Sequence, residues 1–404
     1  MKMHRSTSEA VVTSLAMIFG ERRYADKVIE KVLKQNPRWG ARDRRFIAET
    51  TYDIVRWYRL YRFLSDAGQH DYWHLLATWC VIHNVKLPPW QEFERFSAQS
   101  VRKRQGMNNL ERKVRESVPD WLDERGETEL GEERWTKELH ALNKEAPVVL
   151  RANRLKVDSG SLQAQLADLG VTTHPVPGFD DALVLETRQN VFSIPPFKEG
   201  LFEVQDAGSQ LIAPFLRVEP GMRIIDACAG AGGKTLHLAA LCQNKGRIIA
   251  MDTEAWKLEE LQRRARRAGA SNIETRVITS AKVIKRLAES ADRLLLDVPC
   301  SGMGVLKRNP DAKWKLSPEF VDGVRQIQQK ILSEYSRMLK PGGLLVYATC
   351  SVLPSENEQQ VEQFLLQRPD FTLVEQRHVF PSDGFDGFYM ALLKKEGDQT
   401  SSAS

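Results

Sequence analysis

Residues 223–235 read RIIDACAGAGGKT, a short apolar segment followed by a glycine-rich turn and the start of a helix-type pattern. Four further short apolar segments follow downstream, with helix-type segments between them: GRIIAMD (246–252), NIETRVI (272–278), DRLLLDV (292–298) and LLVYATC (344–350). Short strands that are apolar on both faces and alternate with helices are typical of a doubly wound, mostly parallel sheet. The sequence therefore predicts an α/β domain over residues 201–395, in which FYMALLKK (388–395) adds an antiparallel edge strand.

The pattern differs upstream of this domain. Residues 1–142 carry apolar side chains at three- and four-residue intervals, which predicts a helical domain. Residues 147–200 mix strand-type and helix-type segments, which predicts a small α+β module. The last segment, 396–404, is polar and is predicted to be a flexible tail.

The composition excludes several classes of protein. A chain of 404 residues with 42% apolar residues is long enough for two or three domains and too apolar for wholesale disorder. Its five scattered cysteines form no disulfide framework or metal-ligand spacing, and no apolar run has the length of a membrane span. The formal net charge of +5 leans mildly toward polyanionic partners. We expect a cytoplasmic, monomeric protein.

The glycine-rich turn at 228–233 follows the first strand, where doubly wound sheets bind their ligands. A dinucleotide fingerprint requires a further glycine where Thr235 stands, so NAD is disfavoured. The phosphate-loop pattern G-x-x-x-x-G-K-[ST] matches residues 228–235 except that Cys228 replaces the first glycine. A P-loop-like NTPase is therefore one alternative.

Two acidic residues favour a different ligand. Asp226 directly precedes the turn, where it would repel a triphosphate but would accept a cation such as an amino group. Asp252 ends the second strand, the usual place for a carboxylate that binds a ribose diol. A glycine turn with these two acids describes a site for an adenosine that carries an amino acid, as S-adenosylmethionine does.

Cys300 and Cys350 each follow a strand. In the strand order usual for methyltransferases that use S-adenosylmethionine, those two strands are neighbours. Both thiols are therefore predicted to lie at the sheet edge that holds the cofactor turn. A thiolate there can attack carbon 6 of a pyrimidine and make carbon 5 nucleophilic enough to take a methyl group. Asp297 is placed to hydrogen-bond the ring nitrogen that gains charge.

The residues DVPCSGMGVLKRNPDAKW (297–314) and YATCSVLPSENE (347–358) resemble the paired cysteine motifs of RNA cytosine-5 methyltransferases of the RsmB/Fmu/Sun (NSUN) family. ANRLK (152–156) and VQDAGSQL (204–211) are similar to the family's lead-in to its catalytic domain, which follows a small RRM-like module. ARDRRFIAETTYDIVRWYR (41–59) is similar to the NusB-like RNA-binding domain of the bacterial ribosomal-RNA members.

The resemblance implies a Rossmann-like class I methyltransferase domain with Cys350 as the nucleophile and Cys300 as the residue that assists product release. Lys307 and Arg308 directly follow the Cys300 motif and are predicted to meet substrate phosphate. The cofactor, S-adenosylmethionine, is expected to contact Cys228, Ala229, Gly230, Ala231, Gly232, Gly233, Lys234, Asp252 and Asp297, the last of which also faces the base.

Two segments depart from the family pattern. In the loop, Gly230 and Ala231 stand where the family has an alanine and a proline, and the third strand is followed by Thr279 and Ser280 where an acid near the adenine is usual. Neither departure touches the cysteine motifs. We therefore predict methylation of carbon 5 of cytosine in RNA, above all ribosomal RNA, through a covalent Cys350–cytosine intermediate. The alternatives are the NTPase and a non-catalytic RNA-binding ribosome assembly factor.

Other conspicuous residues have structural explanations. Cys80 and Cys242 lie among apolar neighbours and are predicted to be core residues. His237, on the helix after the glycine turn, is predicted to pack rather than to catalyse. The basic runs at 102–105 and 263–267 are predicted to be solvated helix faces.

Overall fold

The computed structural model describes residues 3–397, so most of the predicted tail (398–404) lies outside the described residues. The chain forms two compact units. The helical unit comprises the residues up to Lys144 together with Leu306–Pro318. The sheet unit comprises Glu145–Val305 together with the residues from Glu319 on. None of the helices between residues 3 and 397 combines the length and the apolarity needed to cross a membrane.

The helices are α1 (Arg5–Leu15), α2 (Ala25–Gln35), α3 (Ala41–Arg56), α4 (Tyr58–Ser65), α5 (Tyr72–Ile82), α6 (Ala98–Gln105), α7 (Arg112–Arg115), α8 (Asp120–Leu130), α9 (Glu132–Leu142), α10 (Ser159–Asp168), α11 (Pro195–Lys198), α12 (Ala207–Gln210), α13 (Ile212–Phe215), α14 (Gly233–Leu241), α15 (Ala255–Ala268), α16 (Ala281–Lys285), α17 (Ala312–Lys315), α18 (Pro318–Tyr335) and α19 (Glu358–Gln367). The strands are β1 (Val149–Ala152), β2 (Thr173–Pro175), β3 (Ala182–Leu185), β4 (Phe202–Val204), β5 (Arg223–Asp226), β6 (Arg247–Asp252), β7 (Ile273–Val277), β8 (Ala291–Asp297), β9 (Leu339–Thr349), β10 (Phe371–Val379) and β11 (Phe388–Lys395).

In the helical unit, α1–α5 pack around one apolar core, and a second apolar cluster contains Leu64, Val81 and Val101 of α4, α5 and α6. Helix α2 buries one stripe, Val28, Ile29 and Val32, because apolar residues spaced three and four apart fall on the same face. Helix α5 is buried along nearly its whole length. Cys80 lies in α5 and is fully buried, which confirms its prediction as a core residue.

The small sheet of the sheet unit has the strand order β2-β3-β1-β4, with every pair antiparallel. Strand β4 pairs with β1 through Leu150 and Val204. It lies beyond residue 200, where the sequence pattern placed the end of the small module. A three-residue strand carries too little periodicity to be recognised in the sequence, so the structure extends the module past the predicted boundary.

The large sheet has the strand order β10-β11-β9-β8-β5-β6-β7, and its five strands β5 to β9 are parallel. This arrangement confirms the predicted α/β fold class and the predicted adjacency of β9, β8 and β5. The central strand β5 is covered by apolar residues on both faces, as its unbroken run of Ile224 and Ile225 predicts. The carboxyl ends of β5, β6, β8 and β9 therefore meet at one edge of the sheet.

Strand β11 is antiparallel as predicted, but its predicted position at the edge was wrong. It lies between β9 and β10, and seven of its eight residues are buried. A strand that is apolar on both faces has to be covered by packed side chains on both faces, which is typical of a strand in the interior of a sheet. The outer strand is β10, whose residues between Phe371 and Val379 are mostly exposed and polar, as suits an edge.

Candidate active site

The glycine-rich turn connects β5 to α14 and adopts a conformation that only glycine tolerates well. Gly230 and Gly232 have φ values of +53° and +89°. A Cβ atom at Gly232 would lie 2.5 Å from Leu261 Cγ, whereas a Cβ atom at Gly230 would meet nothing within 4 Å. The turn is thus packed against α15 on one side and open on the other, next to the first amide groups of α14, which have no partner within the helix.

Asp252 ends β6 beside this turn and is 8% exposed. Its carboxylate accepts hydrogen bonds from the backbone N–H groups of Gly230 and Glu254, each at 2.9 Å. The side chain therefore fixes the glycine turn to the second strand. Its position at the end of β6 agrees with the prediction that it binds a ribose diol.

Asp226, at the end of β5, is almost completely buried. Its Oδ2 atom accepts a hydrogen bond from Thr235 Oγ1 at 2.7 Å, and its Oδ1 atom has no hydrogen-bond partner among residues 3–397. Burial raises the pKa of this carboxyl to about 7. A buried acceptor without a partner suits a ligand that brings a cationic donor, so the residues around the turn fit S-adenosylmethionine.

The two predicted thiols lie together at the same edge of the sheet. The Sγ atoms of Cys300 and Cys350 are 3.2 Å apart, and the backbone N–H of Cys350 donates to Cys300 Sγ at 3.3 Å. The hydrogen bond with Cys350, burial and the charges of Cys350 and Glu356 raise the pKa of Cys300 well above its ordinary value. The two thiols are therefore in direct contact, and Cys300 resists deprotonation.

A half-buried ion pair lies at the same edge of the sheet. Lys234, on the first turn of α14, places its Nζ atom 2.6 Å from Asp297 Oδ2. Burial lowers the pKa of Lys234, but the charges of Asp297 and Cys350 outweigh burial and the net shift is upward. The Lys234 ammonium group therefore stays charged.

A buried set of hydrogen-bonded side chains behind the thiols was not predicted from the sequence. The fully buried carboxylate of Glu356 accepts from the N–H of Ser301 at 2.8 Å, from Gln328 Nε2 at 3.1 Å, and from the hydroxyls of Ser301 and Ser351. Ser301 and Ser351 directly follow the two cysteines. The sequence signal was the serine after each cysteine, which only the fold brings face to face.

Two arginines that support the glycine turn were also missed. Arg264 donates to the carbonyl of Ala231 at 2.7 Å, and Arg151 donates to the carbonyl of Gly233 at 2.7 Å. Arg264 and Arg267 also pair with the buried Glu203. The prediction that the run at 263–267 is only a solvated face was wrong for Arg264 and Arg267. Periodicity does not show which polar residues have a buried partner.

The remaining predicted residues lie elsewhere. Lys307 and Arg308 belong to the segment 306–318 of the helical unit, and Lys307 is only 3% exposed. Lys307 would have to change its surroundings to reach a phosphate, whereas Arg308 is half-buried. The burial of Cys242 and His237 confirms that both pack in the interior, and burial lowers the pKa of His237 to about 4.

Residues 213–394 match the family model for the 16S rRNA methyltransferase RsmB/F. Residues 118–192 match the ferredoxin-like domain of RsmF/B-like methyltransferases. The chain is 37% identical over 274 residues to a ribosomal RNA small subunit methyltransferase B from Vibrio cholerae, an alignment that covers 65% of this chain and 62% of that protein. The chain spans 58% to 66% of the length of three such curated relatives.

Two solved structures share the fold. The crystal structure of PH0851 superposes with a TM-score of 0.82 at 23% identity, covering 98% of this chain and 100% of that one. A methyltransferase homologue from Pyrococcus horikoshii superposes with a TM-score of 0.63 at 28% identity, covering 70% of this chain and 97% of that one. The first likeness extends over both the helical unit and the sheet unit.

Proposed function

We propose that this chain, whose residues 118–192 and 213–394 match the models of the RsmB/F methyltransferase family, methylates carbon 5 of a cytosine in ribosomal RNA. The observation that carries this proposal is the pair of thiols 3.2 Å apart at the sheet edge that also holds the glycine turn. Among methyl acceptors, a pyrimidine carbon is the one that requires a thiolate for activation. The ribosomal substrate is proposed from the names of the curated relatives.

The proposed cofactor site consists of residues 228–234, with Asp252 for the ribose and Asp226 near the amino group. S-adenosylmethionine supplies an electrophilic methyl group when it is bound. The turn offers open space at Gly230 and the amide groups that begin α14, while Arg264 and Arg151 hold two carbonyls of the turn in place. This support from the guanidinium groups compensates for the proline that the family has at the position of Ala231.

In the proposed mechanism Cys350, as a thiolate, forms a bond to carbon 6 of the cytosine. Asp297 faces the ring nitrogen that gains electron density, and carbon 5 becomes the nucleophile that takes the methyl group. A base then removes the proton from carbon 5, the bond between Cys350 and carbon 6 breaks, and the thiolate leaves. Cys300, in contact with Cys350 throughout, assists this release.

The base must leave its stack to reach the thiols, so we propose that the target lies in a loop or another accessible single strand. Arg308 is a candidate contact to the RNA backbone. The cytoplasmic location and the monomeric state expected from the sequence stay part of this proposal. Size-exclusion chromatography with light scattering measures the oligomeric state.

The two cysteines provide the decisive test of the mechanism. Cys350→Ala cannot form the adduct, so it should bind RNA reversibly and transfer no labelled methyl group. Cys300→Ala can still attack and methylate but should release product slowly. It should accumulate a protein–RNA species that survives boiling in detergent, requires S-adenosylmethionine, and disappears in the double variant.

A trapped species in Cys350→Ala instead would reverse the two roles. Absence of a trapped species in both folded variants would contradict the covalent mechanism. Magnesium-dependent ATP hydrolysis without binding of S-adenosylmethionine would support the NTPase alternative. Bisulfite sequencing of RNA from cells with and without the gene identifies the modified cytosine, and an unchanged pattern would leave only a non-catalytic role.

A further inference from the structure

Glu356 lies where both cysteine motifs can be controlled by one side chain. It is fully buried, and it follows β9 in the turn that also contains Cys350. Its Oε2 atom accepts from both serine hydroxyls, and its Oε1 atom accepts from the Ser301 N–H. Each of these serines is covalently next to one of the two thiols, so the carboxylate fixes the distance between the two turns.

Glu356 accepts two hydrogen bonds at each of its carboxylate oxygens, a set of donors that matches the acceptor capacity of a carboxylate. A buried negative charge disfavours a second negative charge nearby. The carboxylate of Glu356 is hydrogen-bonded to two groups of Ser301 but to only one group of Ser351. Lys234 provides the opposite charge in the same site, in its ion pair with Asp297. The carboxylate of Glu356 lies behind the thiols, and the ammonium group of Lys234 lies at the cofactor turn.

We propose that Glu356 is a positioning residue that holds the two cysteine turns together and makes Cys350 the more reactive of the two thiols. The inference rests on the proposed function, for it assigns the two cysteines their different roles. It also gives a reason why two thiols in contact need not react alike, because Glu356 makes two hydrogen bonds to the turn of Cys300 and one to the turn of Cys350.

The variant Glu356→Gln separates the charge from the hydrogen bonds. The glutamine oxygen can accept from Ser301 N–H and Gln328, while its amide group can donate to the two serine hydroxyls, which also act as acceptors. Glu362→Gln is the matched control, because it makes the same charge change at an exposed position of α19. Glu356→Asp keeps the carboxylate and tests whether it restores the wild-type reactivity of the two cysteines.

The measurement is alkylation of the protein by iodoacetamide, without RNA or cofactor, with each cysteine quantified by peptide mass spectrometry over a range of pH. In the wild type Cys350 should react faster than Cys300. Glu356→Gln should lower the ratio of Cys350 to Cys300 modification about tenfold, as expected for loss of one nearby charge worth about one pKa unit. Glu362→Gln should leave the ratio unchanged, and Glu356→Asp should largely restore it.

A wild-type protein in which Cys300 is the more reactive thiol would overturn the proposal, even if Glu356→Gln does not fold. An unchanged ratio in folded Glu356→Gln would overturn it as well. Because this assay needs no RNA, its outcome is independent of methyl transfer. A shifted ratio in a protein that methylates no RNA would support the role of Glu356 and contradict the proposed function.

Discussion

Asp252 combines two tasks in one carboxylate, since it fixes the glycine turn through Gly230 N–H and is proposed to bind the ribose. Asp252→Ala should weaken binding of S-adenosylmethionine at least about tenfold, because hydrogen bonds to a charged group contribute about 1.5–3 kcal/mol each. Isothermal titration calorimetry measures the effect, and a filter assay should show RNA binding nearly unchanged. Asp26→Ala, at an exposed position of α2, is the control. Unaltered cofactor affinity in Asp252→Ala would remove this residue from the site.

At the same scale, the sequence predicted the reactive groups better than the groups that orient them. Cys300, Cys350 and Asp252 were recognisable because each follows a strand and the strand order brings them to one edge. Glu356 and Arg264 were not, because their partners are backbone atoms or serines distant in sequence. A hydrogen bond between residues 301 and 356 leaves no periodic signal, whereas an apolar strand does.

At the scale of elements, the site depends on a close contact between the turn after β8 and the strand β11. The N–H of Gly304 donates to the carbonyl of Cys350 at 2.9 Å, and the N–H of Gly387 donates to the carbonyl of Gly304 at 2.8 Å. This contact joins the two cysteine turns to the strand that the sequence had placed at the sheet edge. The hydrophobicity of β11 was readable, but its order relative to β10 was not, because antiparallel pairs with either neighbour satisfy the same pattern.

The contact has no room for a side chain at Gly304. A Cβ atom there would lie 2.2 Å from the carbonyl oxygen of Gly387 and 2.8 Å from that of Cys350. Gly304→Ala should therefore destabilise the protein by about 1–3 kcal/mol and reduce methyl transfer by displacing the cysteine turns. Gly323→Ala is the matched control, since a Cβ atom there meets nothing within 4 Å and lies inside α18.

Thermal denaturation followed by circular dichroism should show opposite signs for the two glycine variants. Gly323→Ala should keep or raise the melting temperature, because alanine favours a helix by about 0.5–1 kcal/mol over glycine. A wild-type melting temperature and wild-type methyl transfer in Gly304→Ala would mean that this contact is not needed to hold the turns.

At the scale of the whole molecule, the chain crosses from the sheet unit to the helical unit within the motif that contains Cys300. Val305 still belongs to the sheet unit, and the segment 306–318 belongs to the helical unit. There Lys313 is buried and donates to the carbonyl of Arg56 at 2.8 Å, and burial lowers the pKa of Lys313 well below its ordinary value. The sequence analysis predicted that Lys307 and Arg308 of this segment contact the substrate. The burial of the segment was not predicted, because motif position alone does not reveal which core a segment joins.

Trp314 fixes the same segment to the helical core. Its Nε1–H donates to the carbonyl of Val55 at 2.7 Å, and its ring lies edge-on to Tyr58 at 5.4 Å between centroids. Trp314→Ala should destabilise the helical unit by about 2–4 kcal/mol, through lost packing and a carbonyl left without its partner. Trp256→Ala removes an equally large side chain that is 62% exposed, and it should change stability by less than about 0.5 kcal/mol. Urea denaturation followed by circular dichroism measures both variants, and equal losses would show that Trp314 contributes no more than a surface residue.

Because residue 306 lies six positions after Cys300, Trp314→Ala should also slow methyl transfer at temperatures where the protein stays folded. Undiminished transfer under those conditions would show that the geometry of the cysteine turn does not depend on Trp314.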